Sequence, residues 1–98
     1  MSDKIKLMKT CDACPEQYDA YLGDRYVGYL RLRHGVFTVE NEVGSIIYHA
    51  RPRGDGIFES DERDYYLRFA VDAIQKSLSG DTGLMFLPDA PNVEYEIG

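Results

Sequence analysis

Apolar and polar residues alternate most regularly between Val27 and Val39, in the stretch VGYLRLRHGVFTV. A two-residue turn at His34-Gly35 would fold this stretch into a hairpin, because glycine readily adopts the positive φ that such turns need. Since side chains alternate across a strand, the core face carries Leu30, Leu32, Phe37 and Val39. The outer face carries Tyr29, Arg31, Arg33, Val36, Thr38 and Glu40. A slip of one residue would bury the arginines, so the pattern predicts a single register.

The same alternation extends the hairpin into an antiparallel β-meander over residues 16–51. Residues 17–22 form the preceding strand, and a three-residue loop, 23–25, connects it to the hairpin. This loop length assigns Tyr18, Ala20, Leu22 and Tyr26 to the core face and Asp19 and Val27 to the outer face. In the following strand, 45–51, the core positions are Ile46, Tyr48 and Ala50, and the outer positions are Ile47, His49 and Arg51.

Residues 60–79 have the period of an amphipathic helix. Ser60 is suited to cap its first turn, and Gly80 follows its last turn, where a left-handed residue commonly ends a helix. The apolar face of this helix carries Tyr66, Leu67, Ala70, Val71, Ala73, Ile74 and Leu78. The predicted fold class is therefore α+β: an antiparallel meander of about four strands packed on one long C-terminal helix.

The remaining segments of the single domain, 1–98, are an N-terminal arm, 1–15, and an extended tail, 81–98. The apolar stretches Leu84–Leu87 and Val93–Ile97 have no assigned partner within the domain. The tail could add a strand to its own sheet or cross to another subunit, and a tail that joins the sheet of a neighbouring subunit would cover an exposed edge strand. It would also place Glu94 and Glu96 near Arg31 or Arg33. We therefore predict a homo-oligomer, most simply a two-fold dimer, with the ligand site at or near the subunit boundary.

The formal net charge of −6 is distributed unevenly along the 98 residues. Residues 25–53 carry five Arg against two acidic residues, whereas residues 54–98 carry ten acidic residues against three basic ones. The acidic total argues against nonspecific nucleic-acid binding. The N-terminus lacks the apolar run of a signal peptide, and no segment is long enough to span a membrane, so we expect a cytoplasmic protein without membrane contact.

Three motifs in combination resemble a family of small uncharacterised proteins of Gram-positive bacteria and of their phages and prophages. The motifs are GYLRLRHGVFTV at 28–39, GDGIF at 54–58 and ERDYYLRFA at 62–70. The resemblance spans about residues 14–78. It implies a phage or mobile-element setting, with the host cytoplasm as the location, and it brings no catalytic residues.

The outer face of the sheet is a candidate site for an anion or a nucleotide. Its candidate residues are Tyr29, Arg31, Arg33, His49 and Arg51. Arginine binds phosphate through paired N–H groups, and tyrosine can stack on a base. The alternative is a solvated face whose arginines pair with Asp19, Glu40 or the acidic tail.

Two further candidate sites involve other residue types. Cys11 and Cys14 have the spacing of metal ligands, and His34 and His49 could complete a zinc site. Because the histidines are not closely paired in sequence, we predict no cofactor and keep zinc as an alternative. On the helix, Tyr65 and Phe69 flank the apolar face and are candidates for a protein-contact patch, unless the sheet or the tail covers them.

Motifs of common catalytic sites are missing from the sequence, which contains no P-loop, no Gly-x-Ser-x-Gly and no HExxH. We therefore predict a non-enzymatic, phage-type binding protein that sequesters an anionic small molecule or nucleotide used as an immune signal in host defence. One alternative is an acidic inhibitor, a nucleic-acid mimic or anti-CRISPR-like protein, that binds a host defence protein. Another is a small zinc-binding regulatory protein.

Overall fold

A computed structural model describes residues 4–11, 16–54, 57–80 and 93–98. This part of the chain forms one six-stranded sheet, in the order β5-β4-β3-β2-β1-β6, and one helix. The strands are β1 (Ile5–Cys11), β2 (Glu16–Leu22), β3 (Arg25–Arg33), β4 (Val36–Asn41), β5 (Ile46–Ala50) and β6 (Tyr95–Ile97), and the helix is α1 (Arg63–Ser79). All strand pairs are antiparallel except β1 with β6, which is parallel.

The predicted α+β class is confirmed, with a mostly antiparallel sheet and one helix, but two of its details are wrong. The sheet has six described strands instead of about four, because the predicted N-terminal arm contains the whole of β1 and the predicted tail contains β6. The helix has 17 residues and begins at Arg63, so it is shorter than the predicted range 60–79.

The central hairpin has the predicted register. Leu30 pairs with Val39, Leu32 with Phe37, and Arg33 with Val36. His34 and Gly35 have φ values of 54° and 73°, which are the positive values that a tight two-residue hairpin turn requires. The four apolar residues of the predicted core face are all fully buried.

The turn between β2 and β3 has two residues, Gly23 and Asp24, and not the predicted three. Asp19 nevertheless stays opposite Tyr29, because the pairing shifts by one residue between Ala20 and Tyr21. This β-bulge adds Val27 to β3 and turns its side chain into the core, where it is 1% exposed. Tyr26 consequently lies opposite Tyr21 and is exposed, so the predicted faces of Val27 and Tyr26 were both wrong.

A second bulge changes the faces predicted for β5. Tyr48 pairs with Val39 and Ile46 pairs with Glu40, so Ile47 is the additional residue. Ile47 packs partly buried against the core, whereas Ile46 is 62% exposed. The prediction for this pair of isoleucines was therefore wrong.

The helix packs on β3, β4 and β5 and buries Leu67, Ala70, Val71 and Ile74 against the core face of the sheet. The approach is closest at Gly28. A Cβ atom added there would lie 2.8 Å from Cδ1 of Ile74 and 2.8 Å from the carbonyl oxygen of Glu40. Helix and sheet can therefore approach this closely only because β3 carries a glycine at that position.

Ser60 does not cap the helix as predicted. It lies in the preceding turn, and the N-cap position is occupied by Glu62, whose side chain makes no capping hydrogen bond. The carboxylate of Glu62 instead accepts hydrogen bonds from the backbone N–H groups of Arg53, Gly54 and Glu59. The C-terminal prediction is confirmed, since Gly80 ends the helix with a φ of 76°.

The last residues of the chain join their own sheet. Tyr95 pairs with Ile5 and Ile97 with Leu7, while Gly98 N donates to the carbonyl oxygen of Leu7 at 2.8 Å. β1 and β2 therefore separate this strand from the arginines of β3, and Glu94 forms an ion pair with Lys4 at 3.6 Å. Within this chain Glu94 and Glu96 therefore lie away from Arg31 and Arg33, and their position near those arginines of a neighbouring subunit stays a prediction.

The stretch Leu84–Leu87 lies outside the described residues. Within the described ranges, no helix combines the length and the apolar character needed to cross a membrane.

Candidate functional site

The register of the sheet brings four of the five predicted ligand-binding residues onto its outer face. Tyr29, Arg31 and Arg33 alternate along β3, and Arg31 pairs with Thr38, which in turn pairs with His49 of β5. Arg31 and His49 are therefore two strands apart, about 10 Å at the usual strand spacing. Arg51 follows β5 and is exposed. We call the following residues the arginine face: Tyr29, Arg31, Arg33, His49 and Arg51.

The arginines of the arginine face have no carboxylate partner within the described residues. Among the described residues, the ion pairs within 4.0 Å do not include Arg31, Arg33 or Arg51. The predicted alternative, in which Asp19 or Glu40 pairs with these arginines, is therefore not found in this part of the chain. Pairing with the acidic tail, the other part of that alternative, involves residues 81–92, which lie outside the described residues.

The end of the arginine face at Tyr29 is the more acidic end. Tyr29 pairs with Asp19 on one side and with Glu40 on the other. Burial raises the pKa of the Tyr29 phenol, and the two carboxylates raise it further, while Arg31 and Arg33 act in the opposite direction. The phenol therefore stays neutral at physiological pH and can donate a hydrogen bond or stack on a planar ligand.

The predicted protein-contact residues of the helix have different environments. Tyr65 is 42% exposed, and its ring packs edge-on against Phe69 with a centroid distance of 5.1 Å. Phe69 is partly buried and stacks on Tyr48 of β5 at 5.7 Å. Burial raises the pKa of Tyr48 to about 12. Of the predicted pair, Tyr65 thus presents more of its surface to a partner, and Phe69 mainly joins the helix to the sheet.

The zinc alternative involves residues that the structure describes only in part. Cys14 and the side chain of Cys11 lie outside the described residues. His34 occupies the hairpin turn, where its Nε2 atom accepts a hydrogen bond from Arg33 Nε at 3.2 Å. Within the described ranges, no three His, Cys, Asp or Glu side chains are grouped as metal ligands.

A buried ionic network that the sequence analysis did not predict connects β2 to the start of the helix. The carboxylate of Glu16 is 1% exposed and accepts hydrogen bonds from Arg63 Nε at 2.9 Å and from Arg63 Nη2 at 3.2 Å. It also accepts hydrogen bonds from the Tyr18 hydroxyl at 2.5 Å and from the backbone N–H of Phe58 at 3.1 Å. Burial alone would raise the pKa of Glu16, but these hydrogen bonds and the charge of Arg63 outweigh it and hold the pKa below its usual value.

Next to this network, a cleft of about 350 Å³ opens between the helix and the β1–β2–β6 side of the sheet. We call it the helix-side cleft. It is lined by Lys9, Tyr18, Ser60, Arg63, Asp64, Leu67, Tyr95 and Ile97. Its volume is at the lower end of the range of small-molecule sites.

The periodicity of the sequence contains a signal for the charged residues of this region. Lys9 lies two residues after Leu7, Glu16 two residues before Tyr18, and Arg63 four residues before Leu67. Each of these charged side chains therefore occupies a position that the strand or helix period assigns to the core face. A charged residue at such a position is expected to be paired or functional, because an isolated buried charge is strongly destabilising.

Comparison with protein-family models, with curated protein sequences and with solved structures gave no match to this chain. The family resemblance of the three motifs is thus a prediction from the sequence alone.

Proposed function

We propose that this chain is a non-enzymatic binding protein that sequesters a phosphate-bearing small molecule, most simply a nucleotide, on the arginine face. The observation that carries the proposal is the group of arginines on the outer face of the sheet, with Arg33 and Arg51 exposed and Arg31 partly exposed, none of which is ion-paired within the described residues. In a chain with a net charge of −6, such a group provides a local site for an anion.

The chemistry of the arginine face favours phosphate over a simple carboxylate. Arg31 and Arg33 lie on the same face of β3, about 7 Å apart along the strand, so both forks can reach one phosphate chain. His49 and Arg51 extend the basic surface across β5, and Tyr29 supplies an aromatic face for a base. The motif resemblance to phage proteins suggests that the ligand is a signal nucleotide of host defence.

The proposal is tested by thermal unfolding in the presence of nucleoside mono-, di- and triphosphates and cyclic nucleotides. A ligand at 100 times its Kd stabilises the folded state by about 2.7 kcal/mol, which for a domain of this size raises Tm by several degrees. The double variant Arg31→Gln/Arg33→Gln removes charge-assisted hydrogen bonds of roughly 1.5–3 kcal/mol each, so we expect affinity to fall by at least about 100-fold.

Arg25→Gln is the matched control, because Arg25 lies at the other end of β3 and is paired with Glu42 at 2.7 Å. This variant should bind as the unmodified chain does. Equal binding by the double variant, or no stabilisation by any phosphate compound, would contradict the proposal.

A second candidate function is favoured by one observation. Tyr65 is 42% exposed and lies on the acidic half of the chain, as the contact residue of an inhibitor of a basic host protein would. Such an inhibitor would be insensitive to nucleotides and would bind its target with strong salt dependence.

A further inference from the structure

The helix-side cleft lies on the opposite face of the sheet from the arginine face and has a different chemistry. We propose that it is a second binding site, which takes a small organic monoanion, that is, one carboxylate or phosphodiester group attached to an apolar or aromatic body. The cleft has a rigid cationic wall, one excess positive charge and an apolar floor.

The cationic wall of the cleft is held in place by buried groups. Arg63 is bound through Nε and Nη2 to Glu16, and its Nη2 also donates to the carbonyl oxygen of Phe58 at 3.3 Å. These contacts fix the plane of the guanidinium group without using Nη1, for which the described residues supply no acceptor. A guanidinium that is positioned before a ligand arrives loses little conformational entropy on binding.

The charges that line the cleft leave one excess positive charge. Glu16 neutralises Arg63 at 2.9 Å. Asp64 is neutralised by Arg68 at 2.8 Å, and it also accepts a hydrogen bond from the Tyr95 hydroxyl at 2.6 Å. That hydrogen bond, above all, holds the pKa of Asp64 below its usual value, so this carboxylate stays charged.

Lys9 supplies the excess charge. Its ammonium group lies 6.0 Å from the centroid of the Tyr18 ring, and no carboxylate among the described residues pairs with it. A ligand with a single negative charge would balance Lys9. A polyanion would bring more negative charge than this single cation can balance, which distinguishes this site from the arginine face.

The floor of the cleft is apolar and aromatic. Tyr18 and Leu67 are almost fully buried and form its base, while Tyr95 and Ile97 of β6 form a wall whose outer part is exposed. Burial, and then the hydrogen bond to Glu16, raises the pKa of Tyr18, so its ring is neutral. An apolar or aromatic ligand body would exclude water from this floor, which inorganic phosphate cannot do.

The test is an amide NMR titration of the full chain with three probes: benzoate, 3′,5′-cyclic AMP and inorganic phosphate. Benzoate and cyclic AMP each carry one charge on an aromatic compound, and they distinguish a carboxylate ligand from a phosphodiester ligand. We expect at least one of them to shift the amides of Lys9, Tyr18, Arg63 and Tyr95, with phosphate at least tenfold weaker.

Lys9→Met should weaken this binding at least tenfold. Lys6→Met is the matched control, because Lys6 lies on the same strand but on the opposite face, and it should have no effect. The Arg31→Gln/Arg33→Gln variant should leave the shifts of these four cleft amides unchanged, even where it removes cyclic AMP binding at the arginine face, and this separates the two sites. Equal binding of phosphate, shifts confined to the arginine face, no shifts with either organic probe, or unchanged affinity in Lys9→Met would overturn the proposal.

Discussion

The carboxylate of Glu16 connects three parts of the molecule that are far apart in sequence. It belongs to β2, accepts a backbone hydrogen bond from the loop before the helix, and binds Arg63 in the first turn of the helix. All of its close partners donate hydrogen bonds to it, so the ionised form is the one that the fold stabilises. Removing this one charge would leave the guanidinium of Arg63, whose side chain is 33% exposed, without its ionic partner.

We expect Glu16→Gln to destabilise the protein by about 1.5–3 kcal/mol at pH 7, the loss typical of hydrogen bonds to a charged group, as measured by urea unfolding. Because the pKa of Glu16 is lowered in the folded state, its ionised form stabilises the fold fully above pH of about 4.5, the usual value of a glutamate. This stabilisation is lost as the pH falls through the folded-state pKa. The difference between the variant and the unmodified chain should therefore shrink on acidification.

Glu59→Gln is the control for this prediction, since Glu59 is an exposed glutamate of the same loop region. It should change the free energy of unfolding by less than about 0.5 kcal/mol at either pH. A Glu16→Gln variant whose deficit stays constant from pH 7 to pH 3 would show that the charge of Glu16 is not what stabilises the fold.

Predictions for single residues were correct where the alternation of a strand alone determines whether a side chain faces the core or the solvent. The outward position of Arg31 and the inward position of Leu32 follow from alternation about a tight turn, and both were correct. The pairing of Glu16 with Arg63 was not predictable in the same way. It depends on how the helix is placed over the sheet, and 46 residues separate the two in the chain. Periodicity could indicate that each faces inward, but not that they face each other.

At the scale of the elements, bulges caused most of the wrong predictions. A two-residue turn at Gly23-Asp24 would reverse the faces of β2 if β3 were regular, but the extra residue Val27 compensates. In β5, Ile47 is likewise the additional residue of a bulge. Where neighbouring residues such as Val27 and Gly28 can both face the core, the alternation does not identify the residue that forms the bulge. Packing against the helix then decides which side chain is buried.

The start of the helix provides a test that separates the sequence-based prediction from the structure. Ser60→Ala would cost about 1 kcal/mol if Ser60 were the N-cap, whereas the structure predicts a change below about 0.5 kcal/mol. Glu62→Ala should cost about 2–3 kcal/mol, because the backbone N–H groups of Arg53, Gly54 and Glu59 lose their acceptor. Urea unfolding of the two single variants measures both changes in the free energy of unfolding. A larger loss for Ser60→Ala than for Glu62→Ala would contradict the observed cap.

At the scale of the whole molecule, the two faces of the sheet have opposite surroundings. The outer face carries arginines that are not ion-paired in the part of the chain that the structure describes, whereas the helix side combines a buried core with a cleft whose charges are almost balanced. Net charge alone predicted neither arrangement. The charge layout along the chain did indicate a basic central region, because the arginines cluster in residues 25–53 and that region forms β3, β4 and β5.

The structure indicates a different contact for the predicted homo-oligomer: the edge strand β5 in place of the tail. The last strand joins its own sheet, so it does not need a neighbouring subunit. Among the described residues, however, β5 pairs only with β4, and its other edge offers unpaired backbone groups beside the exposed side chain of Ile46. Antiparallel pairing of two β5 edges about a two-fold axis would make the outer faces of two copies continuous and bring His49 and Arg51 of both copies to one boundary.

We therefore expect the full chain to be a dimer by light scattering, and Ile46→Lys to make it monomeric, because lysine on an edge strand disfavours pairing with another strand. Val43→Lys is the control. Val43 is even more exposed, at 79%, but lies in the turn before β5, so this variant should remain a dimer. If the dimer completes the arginine face, Ile46→Lys should also weaken nucleotide binding. A full chain that is monomeric at all concentrations tested would rule out this assembly and would confine the arginine face to a single copy.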